Sequence, residues 1–193
     1  MNISWSHNLF LRINRSLGKH PWRDRFMHIC GHELIYILAF LLCLWATSAL
    51  FATDPNKVTL WIKLLMTALS TALATSWLIA LLFPHKRPVA ELPNVVQLVR
   101  PMSTWKSFPS DHTIVAFVLV EISMFMGTPL WFSIIMLVLA SLVAIGRVYI
   151  GVHYPRDIIG GMIVATLFSF SAFFWLEQVT EPVYRLFIQL FMS

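Results

Sequence analysis

The chain reads as an all-α integral membrane protein, a single helical bundle with about five transmembrane helices and amphipathic helices at its termini. Three observations predict this. Of 193 residues, 58% are hydrophobic and 12% charged, with a mean hydropathy of +0.74, more apolar side chain than a water-soluble domain of this length buries. Five apolar runs follow one another, each bounded by turn residues or charge. Two of them carry small residues every fourth position, Ala68, Ala72, Ser76, Ala80 and Gly161, Ala165, Ser169, the stripe that lets membrane helices approach closely. No internal repeat, low-complexity tract or linker interrupts them, so one domain over residues 1–193 is expected.

Residues 1–28 set Trp5, Leu9, Phe10, Ile13 and Leu17 at helical spacing with Arg12, Arg15 and Lys19 between them. This predicts an interfacial amphipathic helix; a frayed basic tail is the alternative. Charges and Pro21 leave no uninterrupted apolar core for a cleaved leader. Residues 29–51 form the first span, and Thr53-Asp54-Pro55-Asn56 turns the chain. Cys30 and Cys43 sit too far apart along one helix to form a disulfide. Residues 58–83 form the second span. The stretch 84–111 holds half of the ten prolines, with Lys86, Arg87, Glu91, Arg100 and Lys106, and reads as a polar connection.

Residues 110–126 form the third span, interrupted by Glu121 and closed by Gly127-Thr128-Pro129. Residues 130–148 and 158–176 are the fourth and fifth. Residues 177–193 are expected in the membrane interface rather than as a sixth helix, because Glu177, Glu181, Pro182 and Arg185 break them. Lys63 and Glu121 fall at similar depth, which predicts an ion pair between them. Five spans put the N-terminal segment, the 84–111 connection and the stretch 147–157 on one face.

The polar residues on that face suit a phosphate ester. The guanidiniums of Arg87 and Arg147 can hold phosphoryl oxygens through forked hydrogen bonds. Ser110, following Pro109 at the start of a span, lies where a helix N-terminus favours an anion. His153 and His112 could divide nucleophilic and acid work. Asp157, four residues after His153, is spaced to orient that ring and stabilise its cation. Singly, Arg87 and Arg147 fit as interfacial anchors and His112 as a helix-end residue; as an ordered set on one face they are costly to assemble without use.

The ordered motifs Arg87-Pro88, then Pro109-Ser110-Asp111-His112, then Gly146-Arg147 with His153 and Asp157 resemble the three-part signature of the type 2 phosphatidic acid phosphatase superfamily, over about residues 80–161. Asp111, where many members have glycine, and the short five-span chain resemble the bacitracin-resistance type of bacterial undecaprenyl-diphosphate phosphatase. The resemblance implies that His153 attacks phosphorus to give a phosphohistidine, that Asp157 orients it, and that His112 protonates the leaving group and then activates water. It implies that Arg87, Ser110 and Arg147 bind the phosphoryl oxygens. The family's lysine seven residues before Arg87 is replaced here by Ala80, so either Lys86 or Lys106 substitutes, or the charge is dispensed with. Gly146 stands where serine is common.

The expected activity is removal of phosphate from a polyprenyl (undecaprenyl) diphosphate, recycling the carrier lipid for cell-wall synthesis. The alternative is a phosphatase or phosphotransferase for another lipid phosphate, such as phosphatidic acid, phosphatidylglycerol phosphate or lipid A. A transporter or lipid-binding scaffold is disfavoured by the presence of nucleophile, acid and orienting carboxylate together. A net charge of +5 concentrated beside apolar spans points to the phospholipid bilayer and a lipid substrate as partners, and away from nucleic acid. No metal and no cofactor is expected, since His7, His20, His28, His32 and His85 lack metal-ligand spacing. The five Lys/Arg before the first span would put the active face in the cytoplasm by the positive-inside rule. The resemblance implies the extracytoplasmic face of the bacterial plasma (inner) membrane, and the active face is expected there.

Overall fold

Pro21, Pro55, Pro88 and Pro155 each stand in the first turn of a helix, where a missing N–H costs nothing and the fixed φ is already helical. In the computed structural model, which describes residues 4–191, the helices are α1 (Trp5–Asn14), α2 (Pro21–His32), α3 (Leu34–Trp45), α4 (Phe51–Thr53), α5 (Pro55–Leu82), α6 (Pro88–Glu91), α7 (Asp111–Phe125), α8 (Leu130–Tyr149), α9 (Pro155–Phe170), α10 (Ala172–Trp175) and α11 (Glu181–Phe191). Wider π turns at Ala46–Leu50 and Leu176–Thr180 join α3 to α4 and α10 to α11. Residues 1–3 and 192–193, the outermost positions of the two terminal segments, lie outside the described residues.

The N-terminal segment forms two helices where one was expected. Gly18, at φ +82°, takes a left-handed conformation that glycine adopts without steric cost, and it lies in the break between α1 and α2. In α1, Phe10 is fully buried while Trp5 and Leu9 stay exposed.

Among the described residues, Leu34–Thr53, Pro55–Leu82 and Leu130–Tyr149 are each long and apolar enough to cross a membrane, with mean hydropathies of 2.3, 1.8 and 2.1. Pro155–Phe170 with Ala172–Leu190 makes a fourth candidate, bent by 62°. At the position of the remaining expected span lies α7, whose 15 residues reach about 22 Å against an apolar bilayer core of about 30 Å. It is enclosed by protein, packing on α3, α5, α8 and α9, with Ile114, Ala116, Val118 and Ile122 fully buried.

Both small-residue stripes face inward. Ala68, Ala72, Ser76 and Ala80 are fully buried. A Cβ on Gly161 would lie 2.9 Å from the Ser110 carbonyl oxygen and 2.9 Å from Thr113 Cβ, so this glycine lets the start of α7 sit directly on α9. Gly146 does the same for α8 and α2: a Cβ there would fall 2.5 Å from the Gly31 nitrogen.

Two expectations at the far end are corrected. Lys63 pairs with Glu181, not Glu121, because the Lys63–Thr67 face of α5 turns toward residues 180–181, where Thr67 also bonds Thr180 at 3.1 Å. Glu121 instead accepts from Thr166 of α9 at 2.7 Å. Glu181 and Pro182 do not break the C-terminal segment; they form the first turn of α11, which exposes Val183, Tyr184, Leu186 and Leu190.

Candidate active site

The 84–110 connection is closed at its base by backbone pairing. The Arg87 N–H donates to the Thr104 carbonyl and the Ser107 N–H to the His85 carbonyl, both at 2.8 Å, which lays residues 85–87 alongside residues 104–107. The Ser110 N–H donates to the Asp157 carbonyl at 3.1 Å, tying the entry of α7 to the first turn of α9. From the other side the Leu98 N–H donates to the Ile150 carbonyl at 3.1 Å. Gly151 packs against Val96 and Gln97 at φ +85°, where a Cβ would strike the Val96 carbonyl oxygen.

These constraints gather Arg87, Ser110, Arg147, His153 and Asp157, all buried. His153 turns Nε2 toward the Arg87 guanidinium, 3.3 Å from Nη1, which also donates to the Val152 carbonyl at 3.0 Å. Its Nδ1 lies 3.4 Å from Asp157 Oδ2, an ion pair only when the ring is protonated. Arg147 donates from Nη1 to the Gly31 carbonyl at 2.8 Å. His112 occupies the first turn of α7, half-buried. Burial pushes the His153 pKa down to about 4, Arg87 reinforcing and Asp157 opposing this, so the ring is neutral at pH 7. Burial also lowers the Arg87 pKa against the pull of Asp157 and Asp111, and the guanidinium remains charged at pH 7.

Arg87 Nε, Arg147 Nε and Ser110 Oγ are buried without a hydrogen-bond partner in the described structure. Unsatisfied donors beside two guanidiniums fit a tetrahedral oxyanion, since each buried donor left unpaired is costly. No group of three or more His, Cys, Asp or Glu side chains is arranged to hold a metal among the described residues.

The two lysines separate. Lys86 is exposed. Lys106 is 3% exposed, bonded to Ser76 Oγ at 3.1 Å and Asp111 Oδ1 at 2.6 Å, and its ammonium stands over the Trp77 ring at 5.3 Å.

Other residues escaped sequence reasoning. Asp157 Oδ2 accepts from Ser107 Oγ at 2.5 Å and from the Tyr154 N–H at 2.8 Å, so Ser107 and the helix start share in fixing the carboxylate. Ser107 lies inside the polar 84–111 connection, but nothing in its spacing announces the contact. Tyr154 reaches Glu91 at 2.9 Å, 63 residues away, with no local signal. Gly146 has a packing reason: α2 leaves no room for a serine side chain.

The PAP2 superfamily matches this chain over residues 59–181. YbjG of Escherichia coli strain K12, which carries an undecaprenyl-diphosphatase name, is 33% identical over 181 residues, covering 92% of this chain and 86% of that protein. BcrC of Bacillus licheniformis, named a bacitracin transport permease protein, is 31% identical over 165 residues, covering 84% of this chain and 76% of its own. The crystal structure of Aquifex aeolicus LpxE superimposes with a TM-score of 0.70 at 26% identity, covering 89% of this chain and 96% of that one. A match over most of the chain, with relatives aligned across nearly all of it, makes the conclusion plain: the chain belongs to the PAP2 superfamily and is an integral membrane phosphatase.

Proposed function

We propose that the protein removes the terminal phosphate of a polyprenyl diphosphate, of the undecaprenyl kind named for its relatives, through a phosphohistidine at His153 and without a metal. The observation that carries this is the neutral His153 Nε2 facing Arg87 at 3.3 Å, beside the unpaired donors of Arg87, Arg147 and Ser110.

In this reading the terminal phosphoryl oxygens take up those donors, and charge developing on them is held by groups already in place. His153 Nε2 forms a bond to phosphorus as the anhydride P–O bond breaks, and His112 protonates the departing lipid monophosphate. Asp157 keeps Nδ1 as the protonated nitrogen, leaving the Nε2 lone pair for attack. Water then attacks the phosphohistidine, His112 accepts its proton, and inorganic phosphate leaves. Lys106, not Lys86, supplies the added positive charge. Helical side chains lean toward the N-terminus, so a lysine at position 80 would cover Ser76 and Trp77, the residues Lys106 reaches.

The named donors engage one phosphoryl group, so lipid phosphomonoesters form the second reading. Purified protein offered undecaprenyl diphosphate, phosphatidic acid, phosphatidylglycerol phosphate and lipid A, with a chelator present, separates the two. Fastest phosphate release from the polyprenyl diphosphate, abolished by His153→Ala, is expected; faster release from a monoester would overturn the assignment. The active face is proposed to lie outside the cytoplasm, in a bacterial plasma membrane. A single cysteine placed between Pro93 and Val99, with Cys30 and Cys43 replaced, should react with an impermeant reagent in intact cells; labelling only after lysis reverses the orientation.

A further inference from the structure

The segment carrying the nucleophile is held from outside the site by a chain of contacts that the phosphoryl chemistry does not use. Tyr154, next to His153, is fully buried, and its hydroxyl donates to Glu91 Oε2 at 2.9 Å. Glu91 Oε1 lies 3.3 Å from Nε2 of His7 in α1. The His7 ring, 5% exposed, packs on the Tyr154 ring at 4.7 Å, and its Nδ1 pairs with Ser4 Oγ at 2.6 Å. Phe10 closes the other edge of Tyr154 at 5.3 Å, while Arg156 covers it with its guanidinium 5.0 Å from the ring centroid. The Arg156 N–H donates to Ser6 Oγ at 3.1 Å. At the far end of α1, Asn14 exchanges two hydrogen bonds with the Val96 backbone, at 2.8 and 3.1 Å.

We infer that Tyr154, Glu91 and His7 are positioning residues for His153, and that α1 serves as a strap locking the 84–110 connection onto the nucleophile segment. Tyr154 is suited to this. Its backbone N–H fixes the Asp157 carboxylate and its side chain fixes the backbone, so one residue sets both partners of the histidine–aspartate pair. Burial and the Glu91 carboxylate push the Tyr154 phenol upward, so it stays a donor. Attack on phosphorus tolerates little misplacement of the reacting atoms, whereas substrate is gripped by Arg87, Arg147 and Ser110. Loosening the strap therefore lowers kcat and leaves KM in place.

The inference rests on the phosphatase reading of the same site, and the test uses whichever lipid phosphate the wild-type protein hydrolyses. Tyr154→Phe and Glu91→Ala are each expected to lower kcat about tenfold, with KM changed less than about twofold. The double variant should be no slower than the worse single one, because both break one relay. Glu91→Gln, which keeps an acceptor for the phenol, should recover most of the rate. His7→Ala should follow Glu91→Ala in direction. Melting temperatures in detergent separate misfolding from mispositioning, and Tyr154→Phe keeps the packing of the ring. Unchanged kcat, a rise in KM at constant kcat, or multiplying losses in the double variant would overturn the inference while wild-type turnover leaves the phosphatase reading intact.

Discussion

The Ser107 hydroxyl donates to Asp157 Oδ2 across 2.5 Å, joining the end of the 84–110 connection to the first turn of α9. Asp157 is fully buried, and a buried carboxylate that loses a hydrogen bond turns toward whatever donor remains. Ser107→Ala is expected to lower kcat about tenfold with KM little changed, measured as phosphate release under saturating lipid.

Activity should persist in mild acid. Burial holds His153 near a pKa of about 4, so the nucleophile is neutral above that value and protonated below it, whereas an ordinary histidine protonates near about 6.5. The acidic limb of kcat/KM is therefore expected close to pH 4, with the nucleophile still competent at pH 5. A limb centred near 6.5 would contradict the buried, neutral ring.

Gly146→Ala should disturb both the fold and the site. The added Cβ would meet the Gly31 nitrogen at 2.5 Å and its Cα at 2.7 Å, both backbone atoms. Separating α2 from α8 is expected to cost about 1–3 kcal/mol, and it also breaks the Arg147 bond to the Gly31 carbonyl. A lower melting temperature together with a lower rate is the expected pair of results.

Arg87→Lys should fail to restore activity. One guanidinium nitrogen of Arg87 contacts the Val152 carbonyl and His153 Nε2 while its Nε remains free for phosphate. An ammonium supplies a point charge without that planar fork. A fall of about a hundredfold in kcat/KM is expected, with the folded fraction unchanged by size-exclusion profile.

The bundle was legible because apolar runs and four-residue small stripes are one-dimensional signals: Ala68, Ala72, Ser76 and Ala80 all proved buried. The gathering of Arg87, Ser110, Arg147, His153 and Asp157 was legible because the expected order of apolar runs puts the segments that carry them on one face. What distance along the chain hides was not. The pairing of Lys63 with Glu181 depends on the rotation of α5, which depth alone does not give. The Tyr154–Glu91 contact spans a connection whose path has no periodicity. The break at Gly18 rests on a left-handed φ that the apolar spacing around it does not announce, and the burial of Lys106 goes with a pairing of His85 with Lys106 across the base of the connection that no local pattern signals.

Covalent attack by His153 is tested by a rapid acid-free quench during turnover of polyprenyl diphosphate labelled in its terminal phosphate. Covalent attack predicts an acid-labile, alkali-stable phosphoryl label on the peptide containing His153, absent in His153→Ala. Turnover by His153→Ala, or label on any other residue, would contradict it.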